Sequence, residues 1–319
     1  MKDKKTSNTF AGLALSAATG VLVFLSFPPH GQAYLIWFAF VPLYVALLRF
    51  ANGKAAFGAF NAAAMFVASL GIMQGLPPEM KILALGPFAF AGIAFLFTFW
   101  QKDLLTGRNT GFFTVVNATA FVMFEYWRSY LVFGQFGALG MTQYKYPQLI
   151  QIASWFGVHG VSLLIVVVNC TLALAAAHIG ALGKIKNQLA VNAAVIAALM
   201  ALNFALFAKP LHEVARVKVA AIQAGYIPEA KSHPGLEEWG NHFDNVHPGP
   251  LSRESLRIFA PVAEKAARRG AKIIVWPEEI VYMDPSRTPG LDRQIAAIAR
   301  KTGAYNVMPF ASFPKGWDM

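Results

Sequence analysis

Long apolar stretches alternate with short polar segments over the first two thirds of the chain. A transmembrane helix needs about 20 mainly apolar residues to cross the bilayer core, and seven stretches before residue 210 approach that length. The pattern therefore predicts a membrane domain of about seven transmembrane helices over residues 1–210, with the first helix retained and not cleaved as a signal peptide. The seven stretches are Phe10 to Phe27, Ala33 to Leu48, Ala55 to Ile72, Ile82 to Trp100, Phe112 to Val132, Val158 to Ile179 and Leu189 to Phe207.

The pattern changes after residue 210, where short apolar runs alternate with amphipathic segments. Strands are predicted at Val217 to Gln223, within KIIVW and within YNVMPFASF. One helix is expected to start near Ser252 and end at Gly270, and a second lies within GLDRQIAAIARKTG, ending at Gly303. Alternating strands and helices are typical of an α/β domain. We expect residues 211–319 to form only the N-terminal portion of such a domain, because a closed two-layer α/β domain usually needs more chain.

The excess of basic residues lies among the apolar stretches. Hydrophobic residues make up 56% of the chain and charged residues only 13%, whereas about a quarter of the residues in a typical soluble protein are charged. Up to Leu211 there are thirteen Lys and Arg against four acidic residues, and after it fourteen against twelve. This distribution is typical of a signal that orients membrane helices, so a nucleic-acid partner is not expected.

The basic residues also predict the orientation of the helices, because Lys and Arg favour short loops on the cytoplasmic side. Seven spans that start in the cytoplasm end outside it, so residues after Lys209 are predicted to be extracytoplasmic and the N-terminus cytoplasmic. The opposite loops hold only Lys81, Arg128 and Lys145. The N-terminus and alternate loops hold Lys2, Lys4, Lys5, Arg49, Lys54, Lys102, Arg108, Lys184 and Lys186.

The segment IIVWPEE, from Ile273 to Glu279, places two carboxylates just after an apolar strand. Open α/β sheets tend to bind ligands at the carboxyl ends of their strands, and Glu278 would lie at such an end. Pro277 fixes the backbone there, and Trp276 can keep water away from the carboxylate of a general base. The residues alone leave two interpretations of Glu278 open, a catalytic base or a structural turn acid. Glu279 is interpreted as its solvated neighbour.

Two further sites in the apolar region carry reactive or ionisable groups. Cys170, the single cysteine, lies in the run VSLLIVVVNC and is predicted to be a packing residue, which excludes disulfides and cysteine-based zinc sites within this chain. Glu125 and Arg128 are three residues apart on one helical face, and ionisable groups are costly at membrane depth. We interpret them either as a structural ion pair near the membrane boundary or as a contact with a lipid headgroup.

Several segments together resemble one protein family. They are LSFPPHGQAYLIWFAFVPLYVAL near the N-terminus, FEYWRSYL, PQLIQIASWFGVHGVSLLIVVVN, VAAIQAG and IIVWPEE, in that order along the chain. In this order they resemble the apolipoprotein N-acyltransferases, and the resemblance covers nearly all of the chain. In that family a multi-span membrane domain precedes an extracytoplasmic domain with the nitrilase fold, an αββα sandwich of the carbon-nitrogen hydrolase superfamily.

The resemblance implies a multi-pass enzyme of the bacterial inner membrane with its second domain in the periplasm. Its substrates would be a phospholipid acyl donor and a lipidated apolipoprotein, whose N-terminal cysteine accepts the acyl chain. The family uses a Glu-Lys-Cys triad, in which Glu278 would be the general base and a cysteine thiolate would form a thioester. No metal or diffusible cofactor is implied.

The resemblance also implies that the triad is incomplete in these residues. In the family the triad Lys lies several dozen residues beyond the Glu, and the Cys lies further still, so we expect both to be missing before Met319. The 319-residue chain alone would then be inactive. Two other functions stay open, a membrane-tethered nitrilase-type amidase that acts on a small molecule, and a catalytically dead membrane scaffold or transporter.

Overall fold

The chain folds into two compact units, Met1–Pro210 and Leu211–Met319. The computed structural model describes the backbone of residues 2–51, 54–73, 91–95, 110–130, 137–208, 216–222, 248–277 and 290–309. It describes the side chains in these ranges except those of residues 2–7, 70–73, 110–112, 128 and 248–251.

The first unit is a bundle of apolar helices. Three helical segments in the described ranges are long and apolar enough to cross a membrane, namely Asn8–Ser26, Ala153–Ala177 and Lys186–Ala208. This confirms the predicted helical membrane bundle. The number of seven spans stays a prediction, because most of the fourth predicted span lies outside the described residues. The helices are α1 (Lys2–Ser26), α2 (Val41–Arg49), α3 (Lys54–Met73), α4 (Thr110–Arg128), α5 (Ala153–Ala177) and α6 (Lys186–Ala208).

The second predicted span is not one continuous helix. It begins as a 3₁₀ helix, Ala33–Trp37, and α2 starts only at Val41. Within a membrane every backbone polar group needs a partner inside the protein. At this break the side chain of Asn169 on α5 is the partner of two backbone groups. Its Oδ1 accepts the Phe40 N–H at 2.8 Å, and its Nδ2 donates to the Ile36 carbonyl at 2.9 Å. Apolar patterning could not reveal the break, because hydrophobic residues continue through it.

Helices α1 and α3 approach each other through small residues. Gly12, Ser16 and Gly20 recur every fourth position of α1, so they lie on one face. A Cβ added at Gly20 would lie 2.7 Å from the Ala64 carbonyl oxygen of α3. Ser16 is fully buried, and its hydroxyl donates to the Gly12 carbonyl. Small residues at such spacing let two membrane helices pack backbone to backbone.

Helix α6 is attached to the bundle by two asparagines, the residues of this helix that are fully buried. Asn192 Nδ2 donates to Thr114 Oγ1 of α4 at 2.9 Å, and Asn203 Oδ1 accepts the Ile152 N–H at 2.9 Å. Eleven residues are about three helical turns, so the two amides project from the same face. Much of the remaining surface of α6 is exposed and apolar, as at Phe204 and Phe207, which suits a helix bordered by lipid.

The second unit contains a small parallel sheet with strand order β1-β2-β3. Helices and strands alternate here as the sequence predicts, although the strands are shorter and the first helix begins four residues earlier than Ser252. Both helices end at glycines with left-handed backbone, Gly270 (φ 88°) and Gly303 (φ 59°). The elements are β1 (Val219–Ala221), α7 (Pro248–Arg268), β2 (Ile273–Val275), α8 (Leu291–Thr302) and β3 (Tyr305–Val307).

A separate apolar core lies on one face of this sheet. Ile274 of the central strand is fully buried there against Phe259 of α7 and Leu291 of α8. The opposite face carries exposed apolar side chains, including Val219 and Tyr305. Three parallel strands covered on one face are an α/β arrangement, but they do not identify the nitrilase sandwich, which stays a prediction.

Replacing Asn203 by Leu removes the acceptor of the Ile152 amide and is expected to weaken the attachment of α6. Hydrogen bonds between membrane helices contribute about 0.6 kcal/mol on average and up to about 1.7 kcal/mol, and the buried amide loses its partner as well. The unfolding free energy in detergent micelles should fall by about 1 to 2 kcal/mol. Asn187→Leu, an exposed site on the same helix, is the matched control and should change it by less than about 0.5 kcal/mol. Equal losses in both variants would contradict the attachment.

Candidate functional site

The carboxyl end of β2 is one candidate site, and the described structure reaches as far as Pro277 there. β2 is the central strand, and beyond its end the Trp276 N–H still donates to the Val307 carbonyl at 2.9 Å. The Trp276 indole is buried, and its N–H donates to Asn306 Oδ1 at 2.9 Å. Its ring packs against Phe259, with 6.3 Å between the ring centroids. The backbone is therefore fixed by bonds to β3 up to the residue before the proline.

Glu278 and Glu279 lie outside the described residues, so the catalytic role of Glu278 stays a prediction. The strand that precedes it is described. β2, the central strand of the parallel sheet, ends at Val275, three residues before Glu278 in the sequence, and α/β proteins commonly bind ligands at the carboxyl ends of their strands. Trp276 packs into the core of its own unit, so its first effect is to fix the chain at the strand end.

The second candidate site is a buried polar cluster in the helix bundle, centred on Glu125 of α4. The Glu125 side chain is only 3% exposed. Its Oε1 accepts the Leu139 N–H at 2.7 Å, and its Oε2 lies 3.1 Å from Nδ1 of His159 on α5. The side chain of Arg128 lies outside the described part of the chain, so the predicted pairing of Glu125 with Arg128 stays a prediction.

The contacts of Glu125 determine what its neighbour His159 can do. Burying a carboxylate is unfavourable unless hydrogen bonds and an opposite partial or full charge compensate it. An ionised Glu125 accepts from both the amide and the imidazole, so we assign the Nδ1 proton to His159. In the neutral ring this leaves Nε2 with a lone pair. Nε2 is buried and makes no hydrogen bond in the structure as described.

The loop between α4 and α5 is fixed by several polar contacts beside the Glu125 bond. The Gly140 N–H donates to Ser162 Oγ of α5 at 3.0 Å, and a Cβ added at Gly140 would lie 2.5 Å from the Val158 carbonyl oxygen. Only glycine fits this approach of loop to helix. Gln143 connects the loop to the 3₁₀ helix before α2. Its Nε2 donates to the Ala33 carbonyl at 2.8 Å, and its Oε1 accepts the Trp37 indole N–H at 3.1 Å.

Exposed aromatic side chains lie at the end of α4, where one contacts this cluster, and at the start of α5. The Tyr126 and Tyr130 hydroxyls lie 2.8 Å apart, and the Tyr126 ring packs edge to face against His159 with centroids 5.6 Å apart. Trp155 and Phe156 are exposed at the start of α5. Tyr and Trp are enriched where membrane proteins meet lipid headgroups. The cluster therefore lies beside a surface suited to the membrane interface.

Sequence reasoning selected Glu125 but missed His159, Ser162 and Gln143. His159 carried a usable signal, because a histidine within an apolar helical run is itself unusual. Its partner lies 34 positions earlier in the chain, and no local spacing rule connects such distant residues. Ser162 and Gln143 are common polar residues whose importance depends on the path of the loop.

Cys170 lies in the hydrophobic core of the bundle and is fully buried, which confirms its prediction as a packing residue. Among the residues that the structure describes, no group of three His, Cys, Asp or Glu side chains could hold a metal ion. The described polar groups therefore form hydrogen-bonded clusters and contain no multidentate metal site.

Comparison with known proteins relates the bundle to a family. Residues 19–171 match the profile of the apolipoprotein N-acyltransferase N-terminal domain. The apolipoprotein N-acyltransferase of Geobacter metallireducens is 28% identical, covering 94% of this chain and 57% of the relative. Apolipoprotein N-acyltransferase 1 of Treponema denticola is 25% identical, covering 83% of this chain and 48% of the relative. The chain thus spans about half the length of these relatives.

The profile match falls on the helix bundle that holds Glu125 and His159, and the similarity to the two relatives extends over most of the chain. These findings confirm the resemblance expected from the sequence motifs: the chain is similar to the apolipoprotein N-acyltransferases, and its residues 19–171 correspond to the N-terminal domain of that family.

Proposed function

We propose that this protein takes part in apolipoprotein N-acylation, the transfer of an acyl chain from a phospholipid to the N-terminal amine of a lipidated cysteine. The observation that carries the proposal is the match of residues 19–171 to the N-terminal domain of that enzyme family. The position of Glu278 after the central strand of a parallel sheet supports it. In this proposal the unit Leu211–Met319 belongs to a nitrilase-like domain.

The proposed chemistry is acyl transfer in two steps. A cysteine thiolate attacks the ester carbonyl of the phospholipid, a thioester forms and the lysophospholipid leaves as the alcohol. The amine of the acceptor then attacks the thioester, which restores the thiol and forms an amide. Glu278 is the general base that takes the proton from the nucleophile in each step. The 319 residues supply the base and the membrane domain, while their single cysteine is buried in the bundle.

The proposed location is the bacterial inner membrane, with the N-terminus in the cytoplasm and the Leu211–Met319 unit in the periplasm. Both substrates carry acyl chains and stay in the membrane, so a membrane-embedded helix bundle can admit them from the bilayer. Glu125 and Arg128 are proposed to serve substrate binding near the membrane boundary. Because both Glu125 oxygens are bonded within the protein, the contribution of Glu125 is to hold the loop and His159.

The orientation can be tested with reporter fusions. A reporter placed after Lys186 should be active only as a cytoplasmic fusion, and one placed after His233 only as an extracytoplasmic fusion, because the basic loops define opposite sides. Alkaline phosphatase and a fluorescent protein that matures only in the cytoplasm give complementary readouts. Activity on the same side at both positions would reject the proposed topology.

The role of Glu278 can be tested by Glu278→Gln, made in the native gene so that the protein is assayed as the cell produces it. Loss of a general base typically lowers a rate by about 100-fold to 10,000-fold. We expect lipoproteins with an unacylated N-terminus to accumulate when a second, wild-type copy is switched off, as measured by mass spectrometry of their N-terminal peptides.

Glu279→Gln is the matched control for this experiment, because it removes the same charge one residue away. It should leave N-acylation near the wild-type level, with immunoblots showing equal amounts of both variants. Normal N-acylation in the Glu278→Gln strain, or equal defects in both strains, would contradict the role of general base and favour a structural turn acid at Glu278.

The burial of Cys170 predicts that it does not act as the acyl-accepting nucleophile. We expect the purified 319-residue chain to form no covalent acyl-enzyme when it is incubated with phospholipid and an activated ester probe. The Cys170→Ser variant should behave identically, since the core position excludes lipid esters. An adduct in the wild-type chain that disappears in Cys170→Ser would show that this thiol is accessible and reactive.

A further inference from the structure

The buried imidazole of His159 is the group in the polar cluster with an unused hydrogen-bonding atom. We propose that His159 reads the phospholipid headgroup, with its Nε2 accepting a hydrogen bond from an N–H or O–H donor of that headgroup. This inference deepens the proposed function, because it names a specificity-determining residue on the lipid side of the reaction. It concerns binding, so it can be measured without acyl transfer.

The polarity of the site follows from Glu125. Its carboxylate accepts a hydrogen bond from the Nδ1–H of His159, with 3.1 Å between Oε2 and Nδ1, so the neutral ring presents Nε2 as an acceptor. The negative charge behind the imidazole favours a positively polarised donor in front of it. A headgroup that ends in an ammonium with N–H bonds, or in a hydroxyl, satisfies this requirement. A quaternary ammonium carries the same charge but no donor hydrogen.

The surroundings of His159 identify lipid as the ligand. The His159 side chain keeps 14% of its surface exposed, and its ring contacts Tyr126, which is 53% exposed. Tyr126 and its neighbour Tyr130 are exposed aromatic residues of the kind found at headgroup level, and Trp155 and Phe156 are exposed at the start of α5.

An unused acceptor in the protein interior also needs a reason. Leaving a buried polar atom without a partner destabilises the fold, and apolar side chains fit such positions without that loss. His178, one residue beyond the end of α5, illustrates the contrast. Its Nδ1 lies 3.0 Å from the Leu174 carbonyl oxygen, which is a local contact with the helix that precedes it.

The test compares headgroups that differ in their hydrogen-bond donors, with a methylation series at constant charge as its central part. The purified protein in detergent micelles is titrated with dipalmitoyl phospholipids carrying ethanolamine, N-methylethanolamine, N,N-dimethylethanolamine, choline or glycerol, and bound lipid is counted by native mass spectrometry. The first three cationic headgroups keep at least one N–H, and choline has none. Binding should therefore stay nearly level along the methylation series and fall about 10-fold at choline. The glycerol lipid shows whether a hydroxyl donor can replace the ammonium.

Two variants separate ligand contact from support of the fold. His159→Asn retains an amide N–H that can donate to Glu125 but lacks the Nε2 acceptor, and His159→Phe keeps a ring against Tyr126 without either nitrogen. Both should bind the dimethylethanolamine and choline lipids with equal affinity. His178→Phe is the matched control and should keep the fall at choline. Thermal unfolding verifies that each variant is folded.

Several results would overturn the proposal. Equal binding of dimethylethanolamine and choline lipids by the wild-type protein would show that Nε2 does not select a donor on the headgroup. A preference that persists in folded His159→Asn would assign it to another residue. Donor-selective binding together with normal lipoprotein N-acylation in the Glu278→Gln strain would uphold His159 but reject Glu278 as the base.

Discussion

Satisfying backbone polar groups inside lipid is the constraint on which the bundle depends. A regular helix meets this need internally, but a break or loop does not. At the start of α2 and in the loop after α4, buried polar side chains supply missing partners. Asn169 does so where α2 begins, Thr19 accepts the Leu43 N–H at 3.0 Å, and Glu125 accepts the Leu139 N–H. These buried polar residues fix where the chain can depart from helical geometry.

The same contacts connect segments that are distant in sequence. Gln143 bonds to the 3₁₀ helix before α2, while Gly140, three residues earlier, bonds to α5. Glu125 of α4 bonds both to Leu139 of the loop and to His159 of α5. The loop Gly137 to Ile150 is thus fixed from three sides by hydrogen bonds, which is the rigidity that a surface needs if it is to discriminate between headgroups.

The sequence predicted features that depend on local pattern. Apolar runs located the described helices of the bundle, and left-handed glycines ended the helices beside β2 and β3, because Gly270 and Gly303 can adopt that backbone without steric strain. Sequence patterns failed where contacts between residues far apart in the chain determine the structure. The interruption before Val41 depends on Asn169, and the role of His159 depends on Glu125. The strand before Glu278 was located correctly, while the function of that carboxylate requires contacts beyond the described residues.

The two asparagine anchors of α6 also limit how this helix can change in length. Each residue of an α-helix turns the chain by about 100° and advances it by 1.5 Å. A single insertion between Asn192 and Asn203 would therefore rotate one anchor away from its partner while the other stayed in place. The segment between them tolerates changes of composition, since most of it borders lipid, but its length is fixed except for additions or deletions that restore the phase of the helix.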